Sequence, residues 1–312
     1  MYHTEQITDK SYSEIQQLYR LSFGTYYSIE SIQQKYNTVK FGIKNIGIIA
    51  KSQDNELAAY YGVFPIILTF KKQDYLVAQS GDTMTAPKHR KKGLFTKLAK
   101  ETFDLSEEKG IKMIFGFPNE NSYPGFKHKL NWEFHDFMQK FTFYANTIPL
   151  CELSSKLTQL KPLYEKFVKN RIKKHLIEID NINFDLFNFS NVDGYIKKDK
   201  KFFEYKLKRG NTYIVLINNL QILIKVDVHL YIGEVGKIEN NQSELLIKSI
   251  KKLAAILGCR KIIFTLSKNH WLFDILKNKN TPMNSLPIGF YLIDKNISPS
   301  EIQFSNADYD TF

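Results

Sequence analysis

The stretch TMTAPKHRKKGLFTKLAK (83–100) decides the fold that we predict for this chain. It begins with strand-like residues, breaks at Pro87 and continues with five successive residues that can carry positive charge, 88–92. Gly93 follows, and from Leu94 onward apolar residues recur at helical spacing. Like charges this close repel one another, and an anion among them relieves the repulsion. The stretch therefore predicts a strand-to-helix turn that binds an anion.

The segments around this turn predict a mixed sheet in the first half of the chain. The apolar stretch 111–118 follows a helix and ends at a proline, so we expect a buried strand parallel to 75–86. Runs of apolar residues separated by turn residues indicate antiparallel strands upstream. The predicted elements are helices at 12–23, 28–36 and 94–109, strands at 45–52, 57–70, 75–86, 111–118 and 133–146, and a loop with a short helix at 119–132.

The second half repeats the order of elements around the turn. The stretches that begin at Lys109 and at Leu257 both run from a helix end into an apolar strand, a polar loop and a short helix. A meander of strands at 211–235 and an amphipathic helix at 243–257 precede the second copy. We therefore predict two domains of one architecture. The alternative is that any strand–helix–strand unit would align equally well.

The boundary between the two copies is predicted near residues 147–160, where the strand pattern stops and prolines interrupt regular structure. The expected domains are 1–148, which carries the basic turn, and 149–312. The corresponding turn of the second domain, GEVGKIENNQSEL (233–245), is neither basic nor similarly spaced. We therefore interpret the second domain as a degenerate copy.

Composition disfavours several classes of function. The chain has 312 residues, of which 43% are hydrophobic and 14% aromatic, enough for large cores. Its net charge of +12 brings nucleic acid into consideration, but only 5 of its 44 basic residues are arginine, the side chain that reads phosphates and bases bidentately. There is neither the apolar core of a signal peptide nor a run long enough to span a membrane. We expect a cytoplasmic protein with no membrane partner and disfavour nucleic acid.

The two cysteines, Cys151 and Cys259, are too few for a disulfide framework and lack metal-ligand spacing. A single bridge between them stays open, but we expect reduced thiols, as is usual in cytosolic proteins. We expect no bound metal.

TAP (85–87) followed by RKKGLF (90–95) resembles the signature of the GNAT acyltransferases, a strand ending in V-x-P and then [Q/R]-x-x-G-x-[G/A] at the start of a helix. The order of elements over 1–146 resembles that family too. The resemblance implies an α+β fold with a mixed sheet, in which a GNAT domain binding acetyl-coenzyme A (acetyl-CoA) precedes a degenerate GNAT-like domain that shapes the acceptor cleft. Phe95 departs from the Gly or Ala that ends the signature.

The resemblance also implies where the cofactor binds. N–H groups at a helix start lack internal partners, the helix dipole favours anions, and a glycine lets the main chain approach, so the turn suits the pyrophosphate. The main chain at the end of the preceding strand would bind the pantetheine arm and the thioester carbonyl. The implied cofactor residues are Met84, Thr85, Lys88, Arg90, Lys91, Lys92, Gly93, Leu94, Phe95, Thr96, Asn119, Asn121 and Phe126.

The proton-transfer groups are less clearly marked. Many members of the family use a tyrosine as the acid that protonates the leaving thiolate, and the matching position here is Lys127. Tyr123 and His128 are the nearby substitutes, with a slight preference for Tyr123. Asp82 and Glu120 are candidate bases, and Asp82 is equally suited to bind the amino group of the acceptor.

Two tyrosines are candidate acceptor contacts. Tyr60 and Tyr61 lie on a strand that usually faces the acceptor in this family. Because side chains alternate along a strand, one of them is expected to point to the core and the other to the cleft.

NENSYPGF (119–126) with LNW (130–132) resembles a branch common among bacterial aminoglycoside and surface-sugar acetyltransferases. We predict an N-acetyltransferase for a small-molecule primary amine, above all that of a nucleotide-linked amino sugar such as a UDP- or dTDP-amino-deoxyhexose used in surface glycans. An aminoglycoside is the second choice, because a cationic acceptor prefers an acidic cleft. A transfer-RNA-dependent aminoacyltransferase ranks third. The alternative from another class is a non-catalytic module that binds nucleic acid through its basic surface.

Overall fold

The computed structural model describes residues 2–189 and 192–312. The chain forms two compact units, and each is built from two separate stretches of sequence. The first unit comprises Met1–Asp136 and Leu286–Ser300, and the second comprises Phe137–Ser285 and Glu301–Phe312.

The helices and strands follow the predicted order closely. The helices are α1 (Tyr12–Phe23), α2 (Ile29–Tyr36), α3 (Leu94–Glu108), α4 (Tyr123–Lys129), α5 (Leu150–Lys156), α6 (Lys161–Ile172), α7 (Lys200–Lys206), α8 (Ser243–Ile256) and α9 (Phe273–Lys277). The strands are β1 (His3–Gln6), β2 (Ile46–Lys51), β3 (Leu57–Phe70), β4 (Gln73–Thr85), β5 (Met113–Gly116), β6 (Glu133–Tyr144), β7 (Gly194–Ile196), β8 (Thr212–Ile217), β9 (Leu220–Val226), β10 (Leu230–Val235), β11 (Lys261–Leu266), β12 (Met283–Leu292) and β13 (Ile302–Gln303).

The first unit contains a mixed sheet with the predicted parallel pair at its centre. Strands β1, β2, β3 and β4 pair antiparallel in that order, and β4 pairs parallel with β5 through Ala78↔Ile114 and Gln79↔Phe115. The far edge of β5 pairs antiparallel with β12, for example through Phe115↔Phe290. Neither β1 nor β12 was expected, because β1 is short and β12 comes from a distant part of the chain.

Helices cover both faces of this sheet. The amphipathic stripe of α1 buries Ile15 and Leu18 in one core together with Tyr60 and Met84 of the sheet. On the other face α3 buries Leu98 and its neighbours against β2 and β3. The positive φ of 67° at Gly24 ends α1 with a left-handed cap, a conformation that glycine adopts at little cost.

The second unit has the same order of strand meander, helix, parallel strand and short helix. Strands β8, β9 and β10 form an antiparallel meander, α8 follows, and β10 pairs parallel with β11 through Leu230↔Ile262. The other edge of β11 pairs antiparallel with β6 through Phe264↔Phe141. The predicted fold class, an α+β protein with a mixed sheet, is thereby confirmed. That the two halves descend from one duplicated sequence stays a prediction. The assignment of cofactor binding to 1–148 and of cleft shaping to 149–312 also stays a prediction.

The expectation of reduced thiols is wrong for this structure, in which Cys151 and Cys259 form a disulfide. Folding brings the start of α5 against the end of α8, where the N–H of Cys151 donates to the carbonyl of Gly258 (3.0 Å). The sequence alone did not decide whether this bridge forms, because two cysteines 108 residues apart carry no local sign of pairing.

Candidate active site

The basic turn of the first unit runs from a short 3-10 helix, Pro87–His89, to the start of α3. Lys91 and Gly93 both have positive φ, 61° and 76°. A Cβ atom at Gly93 would meet nothing within 4 Å, so the left-handed backbone, rather than crowding, favours glycine there. Gly93 is the N-cap of α3 and offers no side-chain acceptor to the first N–H groups, which leaves them available to an anion.

His89 faces inward, unlike the four cationic residues around it. His89 is 7% exposed, and its Nδ1 lies 2.8 Å from the hydroxyl of Tyr2. Burial lowers the pKa of His89, and the positive charges of Lys92 and Lys88 lower it further. The cationic part of the turn therefore consists of Lys88, Arg90, Lys91 and Lys92, and Lys88 forms an exposed ion pair with Glu56.

A cleft of about 870 Å³ opens beside this turn, entirely within the first unit. Its walls come from the end of α1, the end of β4, the turn with the start of α3, and α4 with its preceding loop. The lining residues are Ser22, Phe23, Thr83, Met84, Thr85, Arg90, Phe95, Asn119, Asn121, Ser122, Pro124, Gly125, His128 and Lys129.

The cleft exists because β4 continues where its pairing with β5 has stopped. The described β4–β5 pairs involve Ala78 and Gln79, whereas the main chain of 83–85 lies farther along β4 and borders the cleft. On its other edge β4 remains paired with β3 as far as Thr85. The edge of 83–85 that faces the cleft can thus present N–H and C=O groups to a bound molecule.

The departure from the signature at Phe95 is matched by a glycine in α4. Phe95 lines the cleft and packs edge-on against Phe126, with ring centroids 5.3 Å apart. A Cβ atom at Gly125 would lie 2.7 Å from the Phe95 ring. The large side chain is accommodated because α4 approaches it with a glycine.

The predicted cofactor residues are brought to this region, although not all of them line the cleft. Met84, Thr85, Arg90, Phe95, Asn119 and Asn121 do. Leu94 and Phe126 are buried in the core beneath it, Thr96 is half-buried, and Lys88, Lys91, Lys92 and Gly93 are exposed on the turn. Asn119 also shapes its own loop, because its side-chain oxygen accepts from the N–H groups of Asn121 (3.0 Å) and Ser122 (3.1 Å).

The two candidate acids occupy different places on α4. His128 lines the cleft. Tyr123 is absent from the cleft lining, and its ring packs edge-on against Phe134 at 4.6 Å between centroids. Lys127, at the usual tyrosine position, is exposed and holds its ammonium 5.6 Å from the centre of the Tyr123 ring.

The candidate bases and acceptor contacts also lie outside the cleft lining. Glu120 is exposed in the loop before α4. The carboxylate of Asp82 is turned toward α2, where it forms an ion pair with Lys35. Alternation does send Tyr60 and Tyr61 to opposite faces, but both are buried in cores: Tyr60 with α1, and Tyr61 under α3.

Some cleft residues were not foreseen from the sequence. Ser22 and Phe23 come from the end of α1, and Phe23 is 55% exposed. An exposed aromatic residue next to the buried stripe of an amphipathic helix was the signal available for it. Two more are Thr83, at the end of β4, and Lys129, in the last turn of α4.

The corresponding region of the second unit is filled by its own chain. Described pairing of β10 with β11 ends at Ile232↔Phe264, and beyond it Leu266 forms a bridge with Ser305. The ring of Phe312 lies against β10, where a Cβ atom at Gly233 would be 2.2 Å from it.

The segment just before α8 in the second unit is capped by a carboxylate. The side chain of Glu239 accepts from the N–H of Gln242 in the capping box of the 3-10 helix Asn240–Gln242. In the first unit, the segment before α3 is instead the basic turn that ends at Gly93.

Over residues 2–189 and 192–312, no group of three or more His, Cys, Asp or Glu side chains is arranged to hold a metal ion. In the same part of the chain, no helix is both long and apolar enough to cross a membrane.

Comparison with known proteins agrees with this geometry. Residues 3–135 match the family model described as an acetyltransferase (GNAT) domain. No curated protein sequence matches the chain.

Solved structures share its fold at low identity. A GCN5-related N-acetyltransferase from Kribbella flavida is 15% identical with a TM-score of 0.61, and the match covers 94% of this chain and 71% of that one. N-myristoyltransferase from Saccharomyces cerevisiae, with myristoyl-CoA bound, is 13% identical with a TM-score of 0.58, covering 96% and 86%. A GCN5-related N-acetyltransferase from Anabaena variabilis is 12% identical with a TM-score of 0.57, covering 94% and 73%.

In the first unit, the free edge of 83–85 thus meets a basic turn between β4 and α3. The match of residues 3–135 to the GNAT acetyltransferase model agrees with this site, and the prediction of an acetyl-CoA-dependent N-acetyltransferase is confirmed. The identity of the amine acceptor is a separate question.

Proposed function

We propose that the chain acetylates the primary amine of a nucleotide-linked amino sugar, with acetyl-CoA bound in the cleft of the first unit. The observation that carries the cofactor part is the junction of three features in one cleft: the open edge of 83–85, the start of α3 behind Gly93, and Arg90. If the pyrophosphate binds at the helix start, the pantetheine arm that is attached to it would lie along 83–85.

The charge of the cleft supports an anionic acceptor. Among the residues that the structure describes, those lining the cleft include Lys129, besides the Arg90 assigned to the cofactor, but no Asp or Glu. A nucleotide diphosphate is compatible with such a wall, whereas a polycationic aminoglycoside would meet like charge and find no carboxylate. The exposed ring of Phe23 at the rim offers a flat apolar surface to a base or a sugar face.

The reaction needs few groups from the protein. The neutral amine attacks the thioester carbonyl to form the N–C bond, and N–H groups along 83–85 stabilise the oxyanion. The C–S bond breaks as the thiolate accepts a proton, and the nitrogen made cationic by the attack releases a proton to water. Tyr123 and His128 are the candidates to supply that proton, and His128 is the one that lines the cleft. Positioning of the two substrates supplies much of the rate, so a strong base is not required.

A screen of acceptors tests the proposal. The full-length protein is incubated with acetyl-CoA and with UDP- and dTDP-amino sugars or aminoglycosides, and release of the CoA thiol is followed. We expect turnover with a nucleotide-amino sugar and none with its non-aminated parent, which is the matched control. Turnover with aminoglycosides alone would overturn the proposal of a nucleotide-linked amino sugar as acceptor. A protein that ignores acetyl-CoA but binds DNA with steep salt dependence would overturn the function.

A further inference from the structure

Asp82 occupies an unusual place at the edge of the cleft. It is a non-glycine residue with a φ of 52°, in the left-handed region. Both of its carboxylate oxygens are engaged: Oδ1 accepts from Lys35 Nζ at 2.6 Å and Oδ2 from the hydroxyl of Tyr36 at 3.0 Å. The Asp82 side chain is only 8% exposed. This arrangement fixes a strained residue immediately before the main chain that borders the cleft.

We infer that Lys35 is a positioning residue, which acts through Asp82 to hold the main chain of 83–85 in place for the acetyl thioester. The inference rests on the proposed acetyl-CoA site. In this inference Asp82 anchors the main chain through its ion pair with Lys35, and it is not the general base.

The register of the sheet shows what the ion pair holds. Tyr60 pairs with Met84 and Gly62 pairs with Gly81, so two residues of β4, Asp82 and Thr83, oppose a single residue of β3. This is a β-bulge, which bends a strand and re-aims the residues after it. Thr83 in the bulge and Met84 after it line the cleft, whereas Asp82 does not.

Lys35 is itself held firmly at the end of α2. Its ammonium lies 4.9 Å from the centre of the Phe64 ring, and its side chain is 16% exposed. The ring of Tyr36 stacks on Tyr60 with centroids 5.9 Å apart. Burial, and then the charge of Asp82, raise the pKa of Tyr36 well above its ordinary value, so its hydroxyl remains a donor to Asp82.

The second unit contains a parallel case in which a ring of the protein lies against the bulge. In β10 the register shifts between Ile232 and Glu234, which places a bulge at Gly233. Glu234 follows that glycine as Asp82 follows Gly81, and it pairs with buried Lys198 at 3.1 Å. The ring of Phe312 lies against Gly233, and Glu234 is 2% exposed. A glycine, an acid and a buried lysine thus accompany a bulge at a buried position.

The test compares binding of acetyl-CoA with binding of CoA to the full-length protein by calorimetry. Lys35→Met should weaken acetyl-CoA binding about 10-fold and CoA binding less, because the contact to the thioester is lost while the turn is untouched. Lys35→Arg should recover most of the affinity. Lys44→Met, which removes an exposed lysine paired with Asp9, is the matched control.

A double variant distinguishes positioning from base catalysis and guards against misfolding. Lys35→Met leaves Asp82 buried without its lysine, whereas Lys35→Met/Asp82→Asn removes both charges. Positioning predicts that the folded double variant also discriminates poorly between acetyl-CoA and CoA, and that it binds acetyl-CoA no worse than Lys35→Met does. Wild-type affinity for acetyl-CoA in the folded double variant would overturn the inference. A wild-type protein that does not bind acetyl-CoA would instead overturn the proposed function.

Discussion

At the scale of single residues, His89 and Asp82 are both directed by partners from distant parts of the chain. His89, within the basic run at 88–92, faces inward to Tyr2, 87 positions away in the chain. Asp82 has the chemistry of a base, yet its carboxylate meets Lys35, which also lies far away in sequence. A pattern of residue types carries no information about such partners, because they are brought together only by the tertiary fold.

The inward histidine should make stability depend on pH. Because burial and neighbouring cations lower the pKa of His89, the unfolded chain gains a proton that the folded chain lacks as the pH falls through about 6.5. The free energy of unfolding should therefore decrease from pH 7 to pH 5.5. Chemical denaturation should show a smaller decrease for His89→Gln, and a wild-type decrease for the control His3→Gln on β1. Equal pH dependence in wild type and His89→Gln would contradict the buried, neutral imidazole.

The proton donor can be assigned by two substitutions on α4. Since His128 lines the cleft and Tyr123 packs on Phe134, His128→Ala should lower kcat roughly 100-fold with little change in acetyl-CoA affinity, which is the scale for one general acid. Tyr123→Phe keeps the ring and should cause a smaller loss. Steady-state kinetics with an accepted amine and calorimetry with acetyl-CoA measure the two effects. The reverse order of losses would assign the role to Tyr123.

At the scale of elements, what the sequence predicted depended on how local the signal was. The helix over 12–23 and the strand over 57–70 were predicted within the bounds observed, because period and turn residues mark them. The parallel pairing of β4 with β5 followed from the intervening helix. In contrast, two pairings join distant segments of the chain: β12 with β5, and β6 with β11. No local periodicity predicts them.

The buried cluster behind β10 should contribute strongly to the stability of the second unit. Lys198 Nζ lies 3.1 Å from Glu234 and 3.2 Å from Asp308, and all three side chains are at most 2% exposed. Lys198→Met would leave two buried carboxylates without their shared cation, so we expect a loss of about 3–5 kcal/mol in the free energy of unfolding.

Chemical denaturation measures this loss. Lys200→Met is the control, because Lys200 pairs with Asp180 on the surface and little loss is expected. If the two variants lost similar amounts of stability, the cluster would not have the importance that its burial indicates.

At the scale of the whole molecule, two units with the same order of elements differ in what fills the space beside their parallel strands. In the first unit that space is a cleft of about 870 Å³ beside a basic turn. In the second, Phe312 lies against Gly233 and a carboxylate caps the region before α8. The lack of a basic run at 233–245 can be read from its composition. The occupant could not be predicted, because it comes from the distant segment 304–312.

One measurement tests the central claim most directly: calorimetric titration of the full-length protein with acetyl-CoA. We predict one site per chain, and its loss in Gly93→Asp, which places a carboxylate where the pyrophosphate would meet the start of α3. Gly110→Asp, at a glycine with a similar φ of 79° beyond the other end of α3, should bind acetyl-CoA like the wild type. Two sites per chain, or wild-type affinity in Gly93→Asp, would contradict the account.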